Sequence, residues 1–374
     1  MADVRTVAQA QQLFHPDGVY LNTATAGLPP DPSWEALQGS WSKFRAGTAQ
    51  GPDYDEWVES ARGHYARLAG VDVQRVAIGN QASVFVGTIA ASLPDGAEIL
   101  TATGDFTSVT FPFLAQQRQS HRRFTVREVP LPELAGAVTP TTTLVAVSAV
   151  QSADGAIADL PGIAAACAAN DSLSLIDTTQ SLGWYPLRTN DFDVTVTSGY
   201  KWLLAPRGTA FMTIRPELMD RIVPVAAGWY AGEERWSSIY GSPLRLASSA
   251  RRYDISPAWH SWVGAAPSLE LLADIGSAAL HEHAVGLANA FRAGVGLPPG
   301  ESAIVSLDLQ PGAEQRVADA RVTGAMRAGK LRLSFHLNNS ADDVAAAVGA
   351  LSGWISLSSA VPASRERRTR GRRT

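Results

Sequence analysis

The stretch DVTVTSGYKWLLAPRGTAFMTI, residues 193–214, holds two apolar β-type runs joined by a turn that carries one lysine, Lys201. Runs of the same kind recur upstream as RVAIG, EILTA, FTVREV, TLVAVSAV and LSLIDT. Between them SVFVGTIAASL, SVTFPFLAQQR and LPGIAAACAAN read as helices. Strands apolar on both faces and separated by helices predict an α/β fold: a largely parallel sheet of seven strands, covered on both sides. Such sheets bind ligands beyond the C-terminal ends of their strands. The polar residues found there are therefore the informative ones.

Lys201 is the first of these. An ammonium set among aromatic and aliphatic neighbours must be paired or give up its proton. A lysine that deprotonates easily suits Schiff-base chemistry; the alternative is a lysine whose stem packs while its head reaches water. LSLIDTTQSLG ends a strand with Asp177, and Gln180 follows three residues later. DVTVTSGYK ends with Ser198, Tyr200 and the lysine. RVAIGNQASVF turns from strand to helix through Gly79, Asn80, Gln81 and Ala82, and a helix start of that composition offers free N–H groups to a phosphate. Each feature alone has a plain structural explanation: a helix cap, a turn, a snorkelling lysine. Together they meet the needs of a pyridoxal phosphate site, which takes a lysine, an acid beside the pyridine nitrogen, a phosphate cup and a flat cover over the ring. Asp177 is expected at the pyridine nitrogen and Gln180 at the ring's 3-oxygen. Ser198 and the Gly79–Ala82 turn are expected at the phosphate, and Phe106 in TGDFTSVTFPF over the ring.

Composition sets the frame. The chain has 374 residues, 45% hydrophobic and 18% charged, as in an ordinary globular protein of about two domains. No apolar run approaches the ~18 residues of a membrane span, and MADVRTVAQAQQLF lacks a signal-peptide core. A cytoplasmic protein with no membrane partner is expected. The single cysteine, Cys167, excludes an intrachain disulfide and a cysteine-based metal site; its alanine-rich setting predicts a small buried residue. The tail SRERRTRGRRT holds six Arg and one Glu, so the −4 of the whole chain leaves −9 on residues 1–363. No other basic patch occurs, and no nucleic-acid partner is expected. After residue 260 a long helical pattern, SWVGAAPSLELLADIGSAALHEHAVGLANAFRAG, precedes the strands SAIVSLDL and KLRLSFHL and a helix capped by Ser340. These form a second, smaller α+β unit. The expected division is an N-terminal segment near the active site over 1–28, a large domain over 29–257, a small domain over 258–358 and a disordered basic tail over 359–374.

At this point the chain resembles the aminotransferase class V family, pyridoxal phosphate enzymes of fold type I. The resemblance runs over about residues 18–355. VYLNTATAGLPP is similar to the family's opening segment near the substrate, which implicates Asn22 and Thr23. VSAVQSADGAIADL resembles its strand with a polar pair, here Gln151-Ser152; LIDTTQSLG its Asp-x-x-Gln signature; SGYKWLLAPRGTAF its Schiff-base lysine signature. KLRLSFHLNN resembles the late strand whose arginine grips the substrate α-carboxylate, which points to Arg332. The resemblance implies an amino-acid substrate, pyridoxal 5'-phosphate as cofactor, no metal, and a homodimer.

The departures are equally informative. Tyr200 stands where the family often has a histidine before the lysine, and Phe106 where a histidine commonly stacks on the ring. Ser256-Pro257 replaces a Gly-Thr pair that reaches the neighbouring subunit's phosphate. Desulfurases of the family carry a catalytic cysteine shortly before the KLRLSF strand, and none occurs there. Trp229 and Tyr230, with Arg235 and Trp236, form an aromatic loop that lines the substrate pocket or belongs to the core. His281 and His283 diverge on a helix and read as a solvated helix end rather than a metal pair. His336 and Asn338 share a strand face with Arg332 and are weak pocket candidates. The expected activity is removal of a substrate Cα proton by Lys201 in an aminotransferase-type enzyme. A C–S lyase or epimerase acting on a modified amino acid, and an idle ligand-binding relative, are the rivals.

Overall fold

The computed structural model describes residues 6–119 and 122–356; the basic tail at 359–374 lies outside them. Strands run in chain order as β1 (Val19–Tyr20), β2 (Val76–Gly79), β3 (Glu98–Ala102), β4 (Thr125–Val129), β5 (Thr142–Ser148), β6 (Leu173–Asp177), β7 (Val194–Ser198), β8 (Ala210–Ile214), β9 (Ile304–Leu307), β10 (Val322–Thr323), β11 (Ala325–Arg327) and β12 (Lys330–Ser334). The seven expected runs form one sheet in the order β2-β8-β7-β6-β5-β3-β4. The pairs from β7 through β4 are parallel, whereas β8 is antiparallel to both its neighbours. The physical reason is length. The turn between β7 and β8 is too short for a helical crossover, so the chain must return antiparallel.

Alternate residues of each strand feed different cores. Ala146 of β5 joins Phe85, Ile89 and Phe113 from the helices Ala82–Ser92 and Thr107–Gln117 on one face. Val145 and Val147 join Ile163 and Cys167 from the helix Leu160–Ala169 on the other. Both faces are covered, as uniformly apolar strands require. Because β7, β6, β5 and β3 are adjacent and parallel, their C-terminal ends form one edge. Ser148 lies opposite Asp177 there, and Ser198 ends the next strand.

The second unit is the sheet β11-β12-β9 with the helices Ser277–Gly294 and Ala341–Leu351, around Phe291, Leu331, Leu333, Phe335 and Leu351. Ser340 caps the last helix in a reciprocal capping box with Asp343. The N-terminal segment joins this unit: β1 pairs in parallel with β10, and Asn22 bridges to Ser334.

The long helical pattern is two helices, Trp259–Ile275 and Ser277–Gly294, bent by 88° at Gly276. Gly276 sits at φ +83°, ψ 151°, a conformation nearly confined to glycine. The first of the two helices packs Trp262, Leu269 and Leu272 against Val58 and Tyr65 of the helix Gly51–Ala69. By packing it shares a core with that helix of the large unit. Among the described residues no single helix is long and apolar enough to cross a membrane.

Candidate active site

The strand-end edge opens into a cavity lined by Ala82, Phe106, Ser152, Asp177, Gln180, Ser198, Tyr200 and Lys201, together with Ser108, Ser148 and Thr179. Residues named at five separate points of the sequence thus meet at one place. Lys201 is only 5% exposed. Burial is the main cause that pushes its amine down to about 8, assisted by Arg332, Arg327 and Arg207 and opposed by Asp177. Asp177 is buried too, and burial raises its carboxyl above the usual range against a hydrogen bond from the Thr179 N–H at 2.8 Å. Among the described residues no cation forms an ion pair with Asp177. A buried carboxyl with that deficit accommodates a protonated ring nitrogen. Phe106 stands over the amine, its ring centroid 5.1 Å from Lys201 Nζ, and is half-exposed toward the opening.

The start of the helix Ala82–Ser92 lies at one end of the cavity. Its N-cap, Gln81, makes no side-chain cap, and the Ala82 N–H points to Ser198 Oγ at a long 3.4 Å. Uncapped first-turn amides are what an anion completes. Gly79 has a packing role as well: a Cβ there would come within 2.7 Å of the Phe85 ring. The Asn80 Oδ1 is buried without a partner, whereas Gln81 is exposed. Tyr200 carries the Arg207 guanidinium 4.3 Å above its ring, which brings a positive charge to the same end. These residues fit pyridoxal phosphate: a buried amine, a buried acid lacking a cation, a flat ring and an open helix start.

Arg332 comes from β12 of the second unit and is 1% exposed. Its Nη1 donates to the Ser152 carbonyl and hydroxyl, and its Nη2 to Thr25 Oγ1 at 2.7 Å. Its Nε is buried without a partner, and no carboxylate of the described residues pairs with it. Burial, with Arg327 adding, pushes it down to about 10. Gln180 holds the seam between the units. Its amide donates to Ala24 O and Ser152 Oγ, each at 3.0 Å, and its oxygen accepts from Trp202 Nε1 at 2.7 Å. Both amide protons are directed to these two acceptors, and Gln180 also lines the cavity. Ser152 accepts from Gln180 and Arg332 and keeps its own proton to donate toward the cavity.

Other expectations do not meet at the cavity. Trp229 and Tyr230 pack beside the helix Gly51–Ala69; Tyr230 is fully buried and its hydroxyl donates to Asp55 at 2.7 Å. The core reading of that loop replaces the substrate reading. Thr23 is fully buried against Asn338. Asn22 is half-buried, with an unpartnered Oδ1. His336 lies in the core, its Nε2–H donating to Trp202 O at 2.9 Å, and burial holds it neutral at about 3. His281 is half-buried against Trp184 rather than at a solvated helix end. Cys167 is buried, its thiol pushed up to about 12 by burial, on a helix behind the sheet.

Two residues of the site escaped the sequence reading. Thr25 holds Arg332 and lies in the segment expected to face the substrate; a hydroxyl three residues past the bridging Asn22 is the signal the sequence offers. Gly27 allows that segment to approach, since a Cβ there would fall 2.2 Å from the Lys201 carbonyl oxygen. Its N–H donates to Tyr200 O at 2.9 Å.

Residues 56–306 match the family model of aminotransferase class-V. The chain belongs to that family. An uncharacterized aminotransferase of Bacillus subtilis is 30% identical over 242 residues, 61% of this chain and 62% of that protein, so the match spans a little under two thirds of that relative. Isopenicillin N epimerase of Streptomyces clavuligerus is 27% identical over 305 residues, 73% of each chain. Among solved structures, a C-DES mutant with glycine covalently linked to its PLP cofactor matches with a TM-score of 0.82 at 18% identity, covering 94% of this chain and all of that one. The fold-type I architecture and the pyridoxal phosphate cofactor expected from the sequence accord with this membership.

Proposed function

We propose that the protein is a pyridoxal phosphate-dependent enzyme of aminotransferase type that acts on an α-amino acid. The observation that carries this reading is the buried pair at the strand ends, Lys201 with its amine at about 8 beside an Asp177 that lacks a cation. When bound, pyridoxal phosphate supplies an electron sink for charge developing at the substrate Cα. Asp177 would hold the ring nitrogen protonated, Phe106 would cover the ring, and Ser198, Tyr200 and the Gly79–Ala82 turn would take the phosphate. Lys201 would hold the cofactor covalently and, once displaced by the substrate amine, would move the Cα proton. An amine that is partly neutral near pH 8 is suited to that work. Arg332 would take the substrate carboxylate in the two-pronged geometry that guanidinium favours. The protein would work as a homodimer in the cytoplasm. Trp34, Trp41 and Phe44 leave an apolar face of the helix Asp31–Arg45 more than half exposed, which supports self-association.

The test is spectroscopic. Purified protein supplied with pyridoxal phosphate is expected to gain a visible band that borohydride bleaches irreversibly, with the label on Lys201 in peptide mapping. A colourless protein, or a label elsewhere, would sink the reading.

A further inference from the structure

A second guanidinium stands beside that of Arg332. β11 and β12 form a hairpin through Ala328 and Gly329, at φ 47° and 80°, which places Arg327 opposite Lys330. Arg327 is exposed, and its Nη2 donates to Thr25 Oγ1 at 3.3 Å. That is the same oxygen that accepts from Arg332 at 2.7 Å. Two guanidinium groups therefore share one neutral hydroxyl. Among the described residues neither has a carboxylate partner. Lys330 beside Arg327, by contrast, is paired with Asp308 at 2.8 Å. Like charges held this close repel unless an anion lies between or beside them. One substrate α-carboxylate answers Arg332, the buried member. The second charge calls for a second anion.

Space exists for it. Arg327 also lines a cleft with Asp154, Arg292, Glu301, Ser306 and Lys330 on its walls. Ser306 Oγ is buried there without a partner.

We infer that Arg327 determines specificity by pairing with an oxyanion at the end of the substrate's side chain, so that the preferred substrates are acidic α-amino acids. The inference rests on the reading of Arg332 as the α-carboxylate grip. The depression of Lys201 and Arg332 by Arg327 supports the proximity of the charges.

Isosteric substrate pairs separate charge from shape: aspartate against asparagine, and glutamate against glutamine. Affinity for each is read by titrating the change in the cofactor's absorption. The cofactor-loaded wild type is expected to bind the better acid about tenfold more tightly than its amide, in line with one charge-assisted contact. Arg327→Gln should bring that ratio close to one, and Arg327→Glu should invert it. Unaltered cofactor spectra in both variants check that the hairpin change leaves the site folded. A wild-type ratio near one, or a ratio in Arg327→Gln equal to that of wild type, overturns the inference while leaving the proposed function standing. Failure to bind pyridoxal phosphate at all takes down the function and the inference together.

Discussion

The chemistry of single residues depends on what surrounds them. Lys201 is apolar-flanked in sequence, but only the cavity shows that its amine is enclosed and faces Asp177. With its amine at about 8 instead of near 10.5, the charged form is penalised in the folded protein. For the cofactor-free protein, the sign follows: below pH 8 the buried ammonium destabilises the fold, and that penalty is relieved as pH rises from 8 toward 10.5. The rate at which cofactor-free protein captures pyridoxal phosphate should therefore rise with pH around a midpoint near 8. A midpoint above pH 10, read from stopped-flow absorbance, would mean a solvated lysine. Arg332 makes a second prediction. Arg332→Lys keeps a positive charge but loses the planar fork, so amino-acid affinity should fall about ten- to a hundredfold with the cofactor spectrum retained. If affinity is unchanged and only thermal stability drops, Arg332 is a structural residue.

Elements are tied to one another by side chains that reach across them. The helix Gly51–Ala69 is anchored to β2 by Arg62, which donates to Val76 O at 2.7 Å and to both oxygens of Asp254 at 3.1 and 2.7 Å. Asp254 also accepts from the Ile78 N–H at 2.9 Å, and both side chains are buried. Breaking the pair leaves the buried Arg62 with only the half-exposed Glu59, at 3.1 Å, as an ionic partner. Asp254→Asn should cost about 3–5 kcal/mol, read as a lower urea midpoint at unchanged slope. The double change Arg62→Met with Asp254→Leu should cost clearly less, because no charge is left unpaired. Equal losses in the two would point to packing rather than charge. Neither partner stood out in the sequence, because a salt bridge 192 positions apart has no local signature. Strands, by contrast, were legible almost to the residue, since runs such as LSLID and EILTA are apolar on both faces and bounded by polar turns.

At the scale of the whole molecule, the helix Asp31–Arg45 carries an exposed aromatic face. Trp34 is 55% and Phe44 58% exposed. Burial of such side chains in a homodimer is worth about 1.5–3 kcal/mol each. Sedimentation should give twice the chain's mass, and Trp34→Glu with Phe44→Glu should shift it to one chain. A wild type that sediments as a single chain rules out the homodimer.

The sequence by itself determined the α/β class, the seven strands and the smaller second unit, because these follow from local periodicity; it singled out Lys201, Asp177, Ser198 and Phe106 as site candidates by their places at strand ends, and Arg332 by the family resemblance. Only the tertiary structure decided which of the singled-out residues share a cavity. It sent Tyr230 and His336 to the core, directed both amide protons of Gln180 to Ala24 and Ser152, brought Thr25 and Arg327 beside Arg332, and broke one helical pattern at Gly276. Those outcomes depend on contacts between segments hundreds of residues apart, where side-chain reach and competition for hydrogen bonds, not spacing along the chain, select the partner.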